Sequence, residues 1–142
     1  MKKTLLIITV LAGLGMSSCS KPGCTDIDAT NYSEKAKKDD GSCNYSEKVI
    51  FWQDASTSQI LVNAGITGLT LYIDGQLIGS CLSSVYWTGA PSCSQSGNFN
   101  AQIDMGHNTS KLITYEIRDN NGTVLVTNNY LVTTGGCNVI SM

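Results

Sequence analysis

Residues 69–80 read LTLYIDGQLIGS, and this stretch decides the fold. Apolar residues recur at every second position, at Leu69, Leu71 and Ile73. This period of two is typical of a strand with one buried face. The Asp74-Gly75 dipeptide that follows favours a type I′ turn, because both central residues of that turn need positive φ. The stretch therefore predicts a β-hairpin.

The chain around this hairpin repeats the same pattern. Alternation runs from Phe99 to Met105 and continues in residues 111–118 and 123–132, with a second turn dipeptide at Asn121-Gly122. No convincing helix follows the first 18 residues. We count about eight strands and predict an all-β fold, a small antiparallel β-sandwich over residues 48–142.

The N-terminus has a different character. Residues 1–18 read MKKTLLIITVLAGLGMSS, with two lysines and then an apolar run of about ten residues that is too short to cross a bilayer. The stretch Met16-Ser17-Ser18-Cys19 resembles the lipobox of bacterial lipoproteins. This resemblance implies that residues 1–18 are a cleaved signal peptide, that Cys19 is acylated, and that the lipid is the contact with the membrane. Ser20 rather than Asp follows, which favours the outer membrane, on either face.

A cysteine module occupies residues 23–45, which read GCTDIDATNYSEKAKKDDGSCNY. So few apolar side chains cannot build a core, and a disulfide between Cys24 and Cys43 would stabilise the loop by roughly 3 kcal/mol. The module resembles a short segment of secreted and surface proteins of Bacteroidetes, with the pattern GCTDxxAxNY and DDGSC, to which no activity is attached. We predict that residues 19–47 form a lipid-anchored tether closed by this disulfide.

Four carboxylates of the cysteine module are candidate calcium ligands: Asp26, Asp28, Asp39 and Asp40. Calcium takes six to eight oxygen ligands. The spacing matches no EF-hand loop, however, and three lysines stand among the acids. The favoured interpretation is a disulfide-closed spacer with solvated charges and no metal, and calcium is the alternative.

The hairpin at residues 69–80 resembles the opening of PEGA-type domains, and APSC at 90–93 with GGC at 135–137 resembles small β domains of Bacteroidetes lipoproteins. The resemblance implies a disulfide between Cys93 and Cys137. In the chain-entropy model, the longer loop closed by Cys93–Cys137 stabilises the fold by roughly 1 kcal/mol more than the short loop closed by Cys81–Cys93. Proximity in sequence, however, favours Cys81 with Cys93. We expect the Cys93–Cys137 pair, with Cys81 as a buried free thiol.

Charge and motifs exclude several function classes. Without residues 1–18 the chain has seven basic and eleven acidic residues, and no basic stripe that would bind nucleic acid. There is one histidine, His107, and neither a nucleophile elbow nor a phosphate-binding loop. We therefore expect no enzyme activity, no catalytic residue and no cofactor.

Aromatic side chains are the remaining candidates for binding. Tyr86 and Trp87 lie in a run that is typical of a loop, and Trp52 lies in a strand. Exposed rings of this kind stack on sugars, although most aromatics in small β domains are core residues. The favoured function is a structural or adhesive one, with another surface protein as partner. The alternatives are a carbohydrate-binding accessory module, with a glycan as partner, and a small extracytoplasmic enzyme.

Overall fold

The computed structural model describes residues 21–142, which form two β-sheets and one helix. In chain order the elements are β1 (Tyr45–Trp52), α1 (Ala55–Asn63), β2 (Gly68–Ile73), β3 (Gln76–Leu82), β4 (Phe99–Gly106), β5 (Ser110–Asp119), β6 (Val124–Thr133) and β7 (Asn138–Ser141). One sheet has the strand order β4-β1-β7 and the other the order β3-β2-β5-β6. The all-β sandwich is confirmed, with seven strands among the described residues where about eight were expected.

The hydrophobic core lies between the two sheets. Val49 and Phe51 of β1 belong to the same buried cluster as Leu71 of β2 and Ile113 of β5. Phe51 also meets Tyr115 of β5 edge to face, with the ring centroids 5.1 Å apart. Burial alternates residue by residue along β2 and β4, as the period of two predicted. The sequence pattern therefore identifies which face of each of these strands is buried.

The two hairpin turns differ from each other. Asp74 and Gly75 have φ values of 49° and 78°, so both central residues have the positive φ that a type I′ turn needs. At the second turn only Gly122 has positive φ, and the predicted type I′ turn is wrong there. The Asp119 carboxylate instead accepts hydrogen bonds from the backbone N–H groups of Asn121 and Thr123, both at 2.8 Å. These bonds build a wider turn.

The helix α1 was not expected from the sequence. Asp54 caps it, because its carboxylate accepts a hydrogen bond from the Thr57 N–H at 2.8 Å. Its larger apolar residues, Ile60, Leu61 and Val62, are consecutive rather than three or four apart, so no helical period marks it. Within residues 21–142 no helix is long and apolar enough to cross a bilayer.

One strand pair departs from the predicted antiparallel arrangement. β1 pairs with β4 antiparallel but with β7 parallel, and Val49 lies opposite Asn138. The chain leaves β6 in the four-stranded sheet and crosses to the other sheet through residues 134–137. A hairpin turn would force β7 to run antiparallel to its neighbour. Because β7 is reached by a crossing between the sheets instead, its direction is not fixed in this way, and it lies parallel to β1.

Both expected disulfides are present. The Cα atoms of Cys24 and Cys43 are 4.8 Å apart, and those of Cys93 and Cys137 are 5.3 Å apart. In the part of the chain that the structure describes, Cys81 is free. It is half-buried rather than buried, because β3 is an edge strand with a neighbour on one side only.

The cysteine module joins the sandwich without a linker. β1 begins at Tyr45, inside the range 19–47 that was predicted as the tether. Cys24, Ala29 and Cys43 belong to the same buried cluster as the sheets. The predicted signal peptide and Cys19 lie outside the described residues.

Candidate functional site

The segment between β3 and β4, residues 83–98, carries Tyr86 and Trp87, and we call it the crossing loop because it leads from one sheet to the other. Its first residues are held by Gln53, which directly follows β1 and is fully buried. The Gln53 side-chain amide donates hydrogen bonds to the carbonyl oxygens of Ser83 and Val85, each at 2.7 Å. Buried hydrogen bonds of this kind fix the course of the backbone.

Two further side chains reinforce this contact. The hydroxyl of Ser58 in α1 donates to the Ser83 carbonyl oxygen at 2.8 Å, and the amide of Asn98 donates to the Val85 carbonyl oxygen at 2.8 Å. The crossing loop is thus attached to β1, to α1 and to its own far end. Gln53 and Ser58 could not be recognised from the sequence, since nothing local distinguishes a polar residue that will be buried from one that will be solvated.

The structure places the three candidate aromatic residues near the end of β1. The backbone N–H of Trp87 donates to the Gln53 carbonyl oxygen at 2.9 Å. This hydrogen bond places Trp87 beside the residue that directly follows Trp52. Tyr86 is 52% exposed, whereas Trp52 and Trp87 are half-buried. Among residues 21–142 the one aromatic ring pair joins Phe51 and Tyr115. The loop therefore presents a single well-exposed ring rather than a row of stacked rings.

Two buried polar atoms near the start of the crossing loop have no hydrogen-bond partner in the described residues. They are the side-chain oxygen Oε1 of Gln53 and the indole nitrogen Nε1 of Trp87, and both are buried. One is an acceptor and the other a donor. Each unsatisfied buried group costs about 1–3 kcal/mol. Both such side-chain groups among the described residues lie where the crossing loop contacts the end of β1.

The second half of the crossing loop covers the outer face of the three-stranded sheet. Gly97 lies so close to β1 that a Cβ atom there would stand 2.3 Å from the Phe51 carbonyl oxygen and 2.7 Å from Cγ2 of Ile50. Ile50 is consequently buried although it faces away from the core. The Cys93–Cys137 disulfide ties the loop to the start of β7, beside a cavity of about 120 Å³.

Three carboxylates of the cysteine module accept hydrogen bonds from nearby backbone N–H groups. Asp26 accepts hydrogen bonds from the Tyr45 hydroxyl at 2.7 Å and from the Asp28 N–H at 3.0 Å, and these bonds lower the pKa of Asp26. Asp39 and Asp40 accept from backbone N–H groups two residues further on, each at 3.0 Å. Hydrogen bonds from Ser42 lower the pKa of Asp40.

Four carboxylates of the same module are the candidate calcium ligands. Within the described residues there is no group of three or more acidic, histidine or cysteine side chains that could hold a metal ion. Calcium binding by Asp26, Asp28, Asp39 and Asp40 therefore stays a prediction, without a preformed ligand group among the described residues.

His107 and Tyr45 connect the cysteine module to the sandwich. Nδ1 of His107 lies 2.7 Å from the Cys43 carbonyl oxygen, so this nitrogen carries the proton and donates. The pKa of Tyr45 is raised to about 12, mainly by its hydrogen bond to Asp26 and further by burial. Both groups hold the module in place, and His107 is not simply solvated as loop histidines usually are.

A surface groove of about 400 Å³ lies at one end of β2 and β3, with the free Cys81 in its wall. The other lining residues are small or polar with two leucines: Gly68, Leu69, Thr70, Ser80, Leu82 and Asn120. Burial raises the pKa of the Cys81 thiol, which keeps it protonated and unreactive near neutral pH. The groove has no charged group.

No known protein family, curated protein or solved structure matches this chain.

Proposed function

We propose that the chain is a lipoprotein that displays a non-enzymatic β domain at the outer membrane, anchored by acylation of Cys19, and that the domain has a structural or adhesive function. The lysines, apolar run and small residues of positions 1–18 support export. Two disulfides in a chain of 15.1 kDa support folding in an oxidising compartment.

The observation that carries this proposal is the position of Cys19 relative to the folded chain. Four of the other five cysteines pair with one another. The described fold starts at Lys21, whose carbonyl oxygen already accepts a hydrogen bond from the Lys37 N–H at 3.0 Å. Cys19 lies two residues before Lys21 in sequence and belongs to neither disulfide, as expected of a residue that serves as an anchor.

Mass spectrometry of the membrane fraction tests this proposal. The mature N-terminal peptide is expected to begin at Cys19 with diacylglycerol and a further acyl chain. Cys19→Ala is expected to release the protein from membranes. Cys81→Ala is the matched control, because Cys81 is the other cysteine outside both disulfides, and it should leave the protein membrane-bound. A mature chain that begins elsewhere without lipid would refute the anchor.

A carbohydrate-binding module is the second candidate, and the exposure of Tyr86 on the firmly attached crossing loop favours it. A glycan array with the mature chain tests it directly. If sugars stack on this ring, Tyr86→Ala abolishes binding, whereas Tyr32→Ala, at an exposed tyrosine of the cysteine module, leaves binding unchanged. Binding that survives Tyr86→Ala would exclude the crossing loop as the sugar site.

A further inference from the structure

Basic residues are concentrated where the folded chain begins. Of the seven that follow residue 18, four lie in the cysteine module or directly before it: Lys21, Lys35, Lys37 and Lys38. All four are exposed. The remaining three are spread over the sandwich. The same stretch also carries five acidic residues, so the lysines form a local cluster rather than a net positive region.

Backbone hydrogen bonds bring together the two segments that carry three of these lysines. The Lys37 N–H donates to the Lys21 carbonyl oxygen at 3.0 Å, and the Gly23 N–H donates to the Lys38 carbonyl oxygen at 3.1 Å. Pro22 and Lys38 form a parallel bridge between the same two segments. Lys21, Lys37 and Lys38, which we call the anchor lysines, therefore lie along the edge at which the chain enters the fold.

The anchor lysines have no partner within the described protein. In residues 21–142 the one ion pair joins Arg118 to Glu116, and no ammonium group of the three donates a hydrogen bond there. Lys48 and Lys111, by contrast, donate to the carbonyl oxygens of Gln95 and Asp104.

The acidic neighbours do not neutralise this edge by pairing with it. Asp39 and Asp40, next in sequence to Lys38, accept hydrogen bonds from the N–H groups of Gly41 and Ser42. Asp26 accepts from Tyr45. Asp28 and Glu34, the other acids of the module, form no ion pair in the described chain. Unpaired ammonium groups remain available to an anion from outside.

The proposed lipid on Cys19 determines which anion that is, so this step rests on the proposed function. One residue, Ser20, separates Cys19 from Lys21. Two Cα-to-Cα steps span at most about 7.6 Å. The Debye length is about 8 Å at physiological ionic strength, so Lys21 lies within the electrostatic reach of the bilayer surface, and Lys37 is hydrogen-bonded to its backbone.

We propose that Lys21, Lys37 and Lys38 form a membrane-contact edge that binds the phosphate groups of anionic phospholipids and orients the domain on the bilayer. Each lysine near an anionic surface contributes about fivefold to partitioning. Acylation then holds the protein on the membrane, and this edge sets which side of the domain faces it.

Amine-labelling of the acylated protein in vesicles tests the contact. Vesicles of phosphatidylcholine are compared with vesicles that also contain phosphatidylglycerol, and the acetylation rate of each lysine is read by mass spectrometry. In anionic vesicles the anchor lysines are expected to react about threefold more slowly, because contact with the lipid phosphates shields their amines from the reagent, and high salt should remove the difference. Lys48 and Lys111 are internal controls that should not change. Equal rates for all lysines in both vesicles would overturn the proposal.

A second measurement separates this edge from the lipid anchor. The Cys19→Ser mature chain carries no lipid, and its binding to phosphatidylglycerol vesicles is measured by sedimentation. Lys21→Gln, Lys37→Gln and Lys38→Gln together are expected to weaken this binding about a hundredfold, at about fivefold for each lysine, whereas Lys111→Gln has no such effect. Binding that the triple variant retains in full refutes the membrane-contact edge even if Cys19 proves to be acylated. An unacylated native Cys19, with lysine-dependent binding intact, refutes only the anchor.

Discussion

The cysteine module and the sandwich are stabilised in different ways. In the module, the Asn31 side chain donates to the Ser42 carbonyl oxygen at 2.6 Å and accepts from the Asn44 N–H at 2.8 Å, and one disulfide closes the segment. In the sandwich, strands distant in sequence bury apolar side chains such as Phe51 and Ile113 against each other. The module thus depends on local polar contacts, and the sandwich on long-range burial.

The difference shows how a short polar segment can be ordered without a core of its own. Before Tyr45 only Cys24, Ala29 and Cys43 are buried apolar residues in the described chain. Their burial contributes little free energy at about 25 cal/mol per Å². Covalent closure and contact with the sandwich therefore stabilise the module, and loss of either should affect it more than loss of one polar group.

The largest effect is expected from the sandwich core. Phe51→Ala removes a fully buried ring that contacts Tyr115, and we expect it to lower the free energy of unfolding by about 3–5 kcal/mol. Denaturant unfolding followed by circular dichroism measures this loss. Ile60→Ala, at a residue of α1 that is 69% exposed, is the control and should change stability by less than about 0.5 kcal/mol. Similar losses for both variants would contradict the assignment of the core.

Removal of the module disulfide is expected to have the next largest effect, and a local one. Cys24→Ser with Cys43→Ser lowers the stability of the cysteine module by roughly 3 kcal/mol in the chain-entropy model. Hydrogen exchange of the Thr30 amide, which donates to the Asn44 carbonyl oxygen at 2.7 Å, should accelerate strongly. Protection of Ile113 in β5 should persist. Equal loss of protection at both sites would show that the two regions unfold as one unit.

Much of the sandwich could be predicted from the sequence, because its determinants are local and periodic. The alternation of Leu69, Leu71 and Ile73 and the Asp74-Gly75 turn each specify backbone geometry within a few residues. The turn at Gly122 could not be predicted from its dipeptide, since the Asp119 side chain determines it.

The candidate site was less predictable for the same physical reason. A loop carrying Tyr86 was expected from its composition, and its tyrosine is exposed. The attachment of that loop depends on Gln53, which is polar yet fully buried and whose partners, Ser83 and Val85, lie thirty residues or more away. Burial of a polar side chain is decided by tertiary hydrogen bonds, which leave no periodic signal.

Gly97→Ala is expected to have a moderate effect that is specific to the crossing loop. The added Cβ would stand 2.3 Å from the Phe51 carbonyl oxygen, so loop and strand must separate, at a cost of about 1–3 kcal/mol. Gly89→Ala in the same loop is the matched control, because a Cβ added there would have no other atom within 4 Å. Thermal unfolding of both variants separates the effect of the close contact at Gly97 from the effect of replacing a flexible loop glycine. An unchanged unfolding temperature for Gly97→Ala would show that the loop does not press on β1.

The smallest expected effect lies at the junction of the two regions and appears as a pH dependence. The pKa of Tyr45 is raised from 10.0 to about 12, so its contribution to stability is fully present below pH 10 and is lost as the pH rises toward 12. The pKa of Asp26 is lowered below 3.8, so its contribution is present above that value and is lost as the pH falls through the folded-state pKa.

Tyr45→Phe should therefore flatten the alkaline limb of a stability profile and weaken the acid limb, since the hydroxyl that donates to Asp26 is absent. Tyr32→Phe, at an exposed tyrosine of the same module, should leave both limbs as they are. An unchanged profile for Tyr45→Phe would mean that this hydrogen bond does not couple the cysteine module to the sandwich.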